Sequence, residues 1–378
     1  MAHEHAYSIG VEEEYFIFHL RTRRAITRRD RRFIAGASRR LGAQVMPELL
    51  QSQIEAATPP CKTLREARDH LAGYRIALAE EAASRDLGIA AVGTFPLAFW
   101  REQTATPKPR YAALREDLQM LALRNMLCGM HVHVEVPDPR RRVPLMQRVV
   151  PYLPLFLALS TSSPFWEGHL TGLSGYRLTA YDELPRTGLP ELLSTESEYE
   201  EYIAALVDAG IIADASHIWW AVRPSLRYPT LELRVADVCT RLVDALAIAA
   251  LFRCLVRRFD RDYSEVSFLD RIGRAITAEN KWRAQRHGIA ATFVEAFRRK
   301  AITCASWLDE LLVELAPDGE ALGCLGEFDH LRQVVTNGTS ADEQVRIYRG
   351  ALDEGKIKTQ ALHDVVDWAA RTTSSGAV

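Results

Sequence analysis

"SIGVEEEYFIF", residues 8–18, sets three consecutive glutamates inside a run that otherwise reads as a buried strand. Strand side chains alternate between faces with a period of two. Glu12 and Glu14 therefore share one face, and Glu13 takes the other with Val11 and Tyr15. Two carboxylates that close repel, and burying either is costly unless a cation or hydrogen-bond donors compensate. The stretch is thus either the solvated face of a strand or a carboxylate floor that takes up cations. The choice rests on what the rest of the chain supplies to the same face.

Three further stretches repeat the pattern. In "QSQIEAATPP" (51–60), Gln51, Gln53 and Glu55 form a polar face just before a Pro-Pro stop. In "CGMHVHVEVPD" (128–138), His131, His133 and Glu135 share one face and Val132, Val134 and Val136 the other. In "PTLELRVADV" (229–238), Glu232 and Arg234 lie opposite Leu231, Leu233 and Val235. Taken singly, each is an ordinary exposed strand face, and Glu232 with Arg234 is a surface ion pair of small value. Four together predict one sheet, apolar on a helix-covered side and lined with Glu, His, Gln and Arg on the other. That second side is a cleft. Glu13, facing away from it, is expected to be replaceable by Gln without effect.

Around these strands the chain alternates and then turns helical. Residues 62–88 place Leu64, Ala67, Leu71, Tyr74 and Leu78 three and four apart, which predicts an amphipathic helix with Gly88 as its stop. Strands are predicted at 8–18, 51–57, 89–95 and 130–136, then a helix at 196–210 and strands at 217–223 and 230–236. "TRLVDALAIAALFRCLVRRF" (240–259) begins a helix at a Thr cap, with an Asp in its first turns. Helices continue to about residue 372. This order predicts an α+β fold and a single catalytic domain over 1–378, with a helical portion, about 240–372, packed on the sheet.

Composition narrows the function classes. A formal net charge of -2 makes no global case for nucleic-acid or membrane binding. The apolar run 143–160 carries Arg148, Pro151 and Pro154, which argues for a buried, broken helix over a membrane span. The nine arginines of 21–40 read as a solvated loop or hairpin arm, for only Phe33 among them could stack on a base. Six scattered cysteines without a Cys-x-x-Cys pair suit reduced thiols in the cytoplasm. "MAHEHAYSIG" lacks a basic segment followed by an apolar one, so no signal peptide is expected.

The donor set then points to an ion. Many carboxylates with few histidines suit a hard cation such as Mg²⁺ or Mn²⁺. His131 and His133 by themselves would suit zinc with a third ligand, for which His169 and His217 are loose candidates. Neither G-x-x-x-x-G-K-[ST] nor G-x-G-x-x-G is present, so any nucleotide must be held by cations and basic side chains. Arg177, Arg223, Arg234 and Arg286 are the candidates, because a guanidinium fork matches carboxylate and phosphate.

The order G-V-E-x-E, I-E-A-A-T-P, G-M-H-V-H-V and L-E-L-R-V-A-D resembles the type 2 glutamate-cysteine ligase family, the bacterial carboxylate-amine ligases. "ENKWRAQRHG" (279–288) extends the likeness, which runs from about residue 7 to 290 and on toward 370. The resemblance implies a glutamine-synthetase-like fold, a curved, largely antiparallel sheet with helices on its convex face. Its concave face would take ATP, two or three Mg²⁺ and an amino acid. It implies metal ligation by Glu12, Glu14 and Glu55, with Glu48 as a lesser partner, and by His131 and Glu232. Arg234 would hold nucleotide or transferring phosphate, with His131 and Arg286 beside the nucleotide. Arg177 and Arg223 would face the small-molecule substrates, and a homodimer is implied. The segments "SGYRLTAYDELPRTG" and "HVHVEV" depart from the better characterised ligases, so the amine stays open. The expected activity is ATP-dependent amide formation through an acyl phosphate, with Arg234 and Glu55 in the chemistry. A zinc or manganese hydrolase built on His131 and His133, and a non-catalytic nucleotide- or metal-binding module, are the competing readings.

Overall fold

In the computed structural model, which describes residues 7–263 and 268–375, the opening stretch forms β1 (Ile9–His19). The leader reading of residues 1–6 lies outside the described residues. Six more strands join the main sheet: β2 (Val45–Pro47), β3 (Gln53–Ala57), β4 (Leu87–Ala90), β5 (Met130–Glu135), β6 (Val222–Pro224) and β7 (Thr230–Leu233). Their order is β2-β3-β1-β5-β7-β6, with β4 pairing the C-terminal part of β1. Every pair is antiparallel. The register places Glu14 opposite Glu55, Glu12 opposite His131, and Glu232 between His133 and Arg223. Directly opposed residues point to the same face, so the four polar stretches line one surface as expected.

Helices cover the other surface. The helix Leu64–Ala83 packs on β1, β3 and β4, Leu242–Arg261 on β5 and β1, and Lys358–Ser374 on β4. The buried apolar residues run as one continuous cluster from Ile9 to Ala369. Val11, Tyr15 and Ile17 of β1 enter it, fully buried.

Glu13 enters it as well, and its surroundings argue against a position that can be changed without cost to the fold. Glu13 and Arg75 are both completely buried, with Arg75 Nη2 and Nε donating to the two carboxylate oxygens at 2.6 and 2.9 Å. Tyr15 Oη donates to Oε2 at 2.5 Å. The rest of the guanidinium donates to the carbonyls of Thr240 and Cys239 at 2.7 and 2.8 Å. A fully satisfied buried pair is tolerated, whereas removing one member strands the other charge. Alternation places Glu13 correctly, but away from the cleft does not mean solvated.

Several boundaries shift for identifiable reasons. The helix predicted over 62–88 starts after Thr63, whose hydroxyl accepts from Glu66 N–H, and ends at Ala83. Gly88 is not its stop. It lies in β4 opposite Phe18, where a Cβ would sit 2.4 Å from the Phe18 ring. Thr240 does not cap the long helix, which starts at Leu242. Its hydroxyl donates instead to Ala91 O at 2.7 Å and meets Ser340 Oγ at 2.6 Å. The strand predicted at 217–223 is reduced to Val222–Pro224, and that at 230–236 to Thr230–Leu233.

The arginine-rich run is no mere loop. Asp30 caps a helix over Arg31–Leu41, and Arg29 is drawn inward to the carbonyls of Gln51, Leu50 and Gln53. The apolar run is buried and broken as predicted, with Arg142–Val149 and Leu153–Ser160 joined by a 3-10 turn. Arg148 donates there through Nη1 and Nη2 to the carbonyls of Phe259 and Tyr263, and its Nε is buried without a partner among the described residues.

Candidate functional site

The polar face of the sheet divides into two electrostatic halves. The first is built by β1, β3 and the residue after β2: Glu14, Glu55 and Glu48 bring carboxylate oxygens within 4.8 Å of one another. The protein offers them little compensation. Gly129 N–H donates to Glu14 Oε2 at 2.6 Å and Leu49 N–H to Glu48 Oε2 at 3.1 Å. Among the described residues no Lys or Arg forms an ion pair with any of the three. Burial and the neighbouring Glu48 push the Glu14 carboxyl up to about 8. Burial, then Glu48, Glu12 and Glu14, hold Glu55 well above the usual carboxylate range. Three carboxylates that cannot all ionise unaided form a site lacking a positive charge.

The second half is built by β1, β5, β7 and β6, and it carries its own cations. Glu12 meets His131 Nδ1 at 3.0 Å and His133 Nε2 at 3.3 Å. Glu232 takes a forked pair of donors from Arg223 at 2.7 and 3.1 Å, and a further one from Arg234 Nη1. Burial disfavours both anions, yet the imidazoles hold Glu12 below the ordinary range, and Arg234 with Arg223 does the same for Glu232. Burial and Arg234 push His131 down to about 4, which keeps its imidazole neutral. His131 Nε2 is buried without a hydrogen-bond partner among the described residues. Neutral imidazole nitrogen flanked by Glu12 and Glu232, all within 4.8 Å, is a cation-ligand set.

Both groups fit hard divalent ions, the first with three carboxylates and the second with two carboxylates and one imidazole. The expected ligands Glu12, Glu14, Glu55, His131 and Glu232 are thus brought to one face but into two groups, and Glu48 stands as a full member of the first. Its position was the least legible, for it sits in a connection outside strand alternation. The zinc arrangement does not assemble. His131 and His133 both turn to Glu12, His169 meets Lys358 and His217 lies near Asp214.

The arginines separate sharply. Arg234 lies between the halves, with Nη2 donating to Tyr181 Oη at 3.3 Å and Nε buried without a partner among the described residues. Arg223 is committed to Glu232 and to Ile218 O at 2.6 Å. Arg177 is 2% exposed and donates to the carbonyls of Arg234 and Ala236 at 3.3 and 3.1 Å. It packs under Gly129, where a Cβ would stand 2.1 Å from its Nη2. Arg286 is exposed and donates to Gly172 O, and the structure does not bring it to either group. Gly129 and Tyr181 are contributions that strand patterning misses: one acts through its backbone, the other comes from the short helix Tyr176–Tyr181.

Comparison with known proteins follows the same lines. Residues 8–366 match the model of the family described as glutamate-cysteine ligase family 2. The chain is 48% identical over 346 residues to a protein of Bradyrhizobium sp. (strain BTAi1 / ATCC BAA-1182) named "Putative glutamate--cysteine ligase 2". That match covers 91% of this chain and 84% of the relative. A protein of the same name from Rhodospirillum rubrum is 43% identical over 368 residues, covering 96% and 95%. Among solved structures, the glutamate-cysteine ligase of Francisella tularensis in complex with AMP has a similar fold. Its TM-score is 0.74 at 11% identity, covering 98% of this chain and 89% of that one. The bifunctional glutathione synthetase of Pasteurella multocida gives 0.72 at 16% identity, and the match covers 98% of this chain and 53% of that one.

Proposed function

Because the chain belongs to glutamate-cysteine ligase family 2, an ATP-dependent carboxylate-amine ligase family, we propose that its cleft joins the side-chain carboxylate of glutamate to the amine of cysteine. The observation that carries this reading is the trio Glu14, Glu48 and Glu55, brought within 4.8 Å of one another with no Lys or Arg ion-paired to any of them among the described residues. A fold gains nothing from such a trio by itself. It gains a cation site, and beside it lie the basic side chains that a triphosphate needs.

Two cation positions are supported, one on Glu14, Glu48 and Glu55 and one on Glu12, His131 and Glu232. Magnesium bound there supplies neutralisation of phosphate charge. The γ-phosphoryl group of ATP passes to the substrate carboxylate: the bond to ADP breaks and an acyl phosphate forms. The amine nitrogen then attacks the acyl carbon, the carbon–oxygen bond to phosphate breaks, and phosphate leaves as the amine loses its proton. Arg234, held by Glu232 and Tyr181 with a free Nε–H, stabilises the charge in transfer. Arg177, through the carbonyl of Arg234 and its position below Gly129, fixes both Arg234 and the donor to Glu14. This chemistry is positioning and electrostatics, so no nucleophilic side chain is required. The six cysteines, all unpaired and buried, support a reducing compartment, and we place the enzyme in the cytoplasm.

The test is ADP release over panels of carboxylates and amines. Release that requires glutamate and an amine together, with cysteine the best amine, is the expected result. Turnover of an amide or ester without ATP would overturn the reading in favour of a hydrolase, and nucleotide binding without turnover in favour of a binding module.

A further inference from the structure

The polar row of β7 ends at Thr230 and a turn follows on its N-terminal side. Arg234, Glu232 and Thr230 all face the cleft, the last shown by its hydroxyl at 3.0 Å from His133 Nδ1. Two residues further back Tyr228 lies in the turn before β7, where Thr230 N–H donates to Tyr228 O at 2.8 Å. Its ring stands edge-on to His133, with centroids 6.1 Å apart and planes at 90°. It is also 56% exposed, so one face of an aromatic ring is left open at the end of the cleft. A tyrosine so open beside His133 is unexplained by packing.

The turn that carries Tyr228 is anchored. Arg142 Nη1 donates to the carbonyls of Ser225 and Tyr228 at 3.0 and 3.4 Å, while its Nη2 pairs with Glu196 at 2.7 Å. Tyr228 N–H donates to Ser225 Oγ at 3.4 Å. An exposed ring on a fixed backbone presents a preset surface and loses little freedom when something stacks on it.

We propose that Tyr228 is the platform on which the purine base of the nucleotide stacks. The proposal rests on the ligase reading and extends it. Arg234 reaches back along the row to Glu232 and His131, which sets the transferring phosphate near Glu232. Tyr228 stands beyond Thr230 and against His133, on the side of Glu232 away from Glu14, Glu48 and Glu55. The phosphates then run past His133 and Thr230, and the base arrives at the ring. The carboxylate trio at the opposite end is left for the amino acid.

The experiment uses the whole protein, steady-state ADP release and two variants. Tyr228→Ala is expected to raise KM for ATP roughly five- to ten-fold, the low end for base–aromatic stacking. KM for glutamate and kcat should stay within two-fold. Tyr228→Phe, which keeps the ring, should restore KM for ATP. Inorganic tripolyphosphate, a competitor with phosphates and no base, should inhibit wild type and Tyr228→Ala equally. An unchanged KM for ATP in Tyr228→Ala overturns the platform, as does equal weakening of ATP and tripolyphosphate, which would mark a general disturbance of the turn. Failure of wild type to release ADP with any substrate pair would instead remove the ligase reading, and the platform with it.

Discussion

Glu13 and Glu14 are adjacent in the chain and identical in chemistry, the first fully and the second partly buried, and they stand in opposite electrostatic situations. Glu13 meets a buried arginine through two hydrogen bonds and a tyrosine hydroxyl through a third. Glu14 meets two other glutamates and one backbone N–H. The protein neutralises the first charge from its own residues and leaves the second to be neutralised from outside. A buried charge completed within the chain holds the fold together; one left incomplete calls for a ligand.

The sharpest way to break this contrast is Glu13→Gln. It leaves Arg75 buried without its counter-charge, and the expected loss is about 3–5 kcal/mol of stability, read by urea unfolding. The variant that still folds should keep its KM for ATP. A loss under about 1 kcal/mol would mean that Glu13 and Glu14 are not the different kinds of residue described above.

The complementary change is Glu55→Gln, or equally Glu14→Gln. ADP release should fall by about three orders of magnitude, the scale of a lost cation contribution to charge stabilisation. Urea stability without divalent ions should be unchanged or higher, because one carboxylate of the repelling group is gone. Activity retained with both changes together would remove the carboxylate floor.

Mg²⁺ itself should discriminate between the two glutamates. At a hundredfold excess over its dissociation constant each occupied site stabilises the folded chain by about 2.7 kcal/mol, and Glu55→Gln should abolish the share of the Glu14, Glu48 and Glu55 site. The pH dependence has a definite sign. Glu14, raised from 4.5 to about 8, holds a proton in the folded chain that the unfolded chain has released. In chelator, stability therefore falls as pH rises from about 5 to 8. Mg²⁺ should flatten the decline, since the cation favours the ionised form. A rising profile in chelator would contradict the uncompensated trio.

The smallest expected effect lies at the compensated end of the cleft. Arg223→Lys replaces a fork with a point charge at Glu232. Glu232 keeps Arg234, so kcat should drop only about ten-fold, a change of about 1.4 kcal/mol, with the Mg²⁺-dependent stabilisation largely intact.

The amino-acid sequence made much of this visible because strand alternation is a local rule. The spacing of Glu12 and Glu14, of His131 and His133, and of Glu232 and Arg234 assigns each to the polar face without any tertiary knowledge. The same rule puts Glu13 on the other side. The broken apolar run 143–160 and the covering helices follow from equally local patterns. Boundaries set by distant contacts were less legible. Gly88 reads as a helix stop until Phe18 is seen across from it, and Thr240 reads as a cap until Ala91 and Ser340 claim its hydroxyl. Glu48 escapes alternation altogether, and Arg177 and Arg223 read as open basic groups until their carbonyl and carboxylate partners appear.

What the sequence determined by itself is therefore which side chains share a face, and, through the order of four short stretches, the family. What only the tertiary structure decided is which charges are already answered. Arg75 lies 62 residues from Glu13, on a helix, and nothing in a local pattern tells that it reaches Glu13 while no arginine reaches Glu14. Orientation along a strand depends on backbone geometry of two residues; compensation of a charge depends on every group within a few ångströms in space.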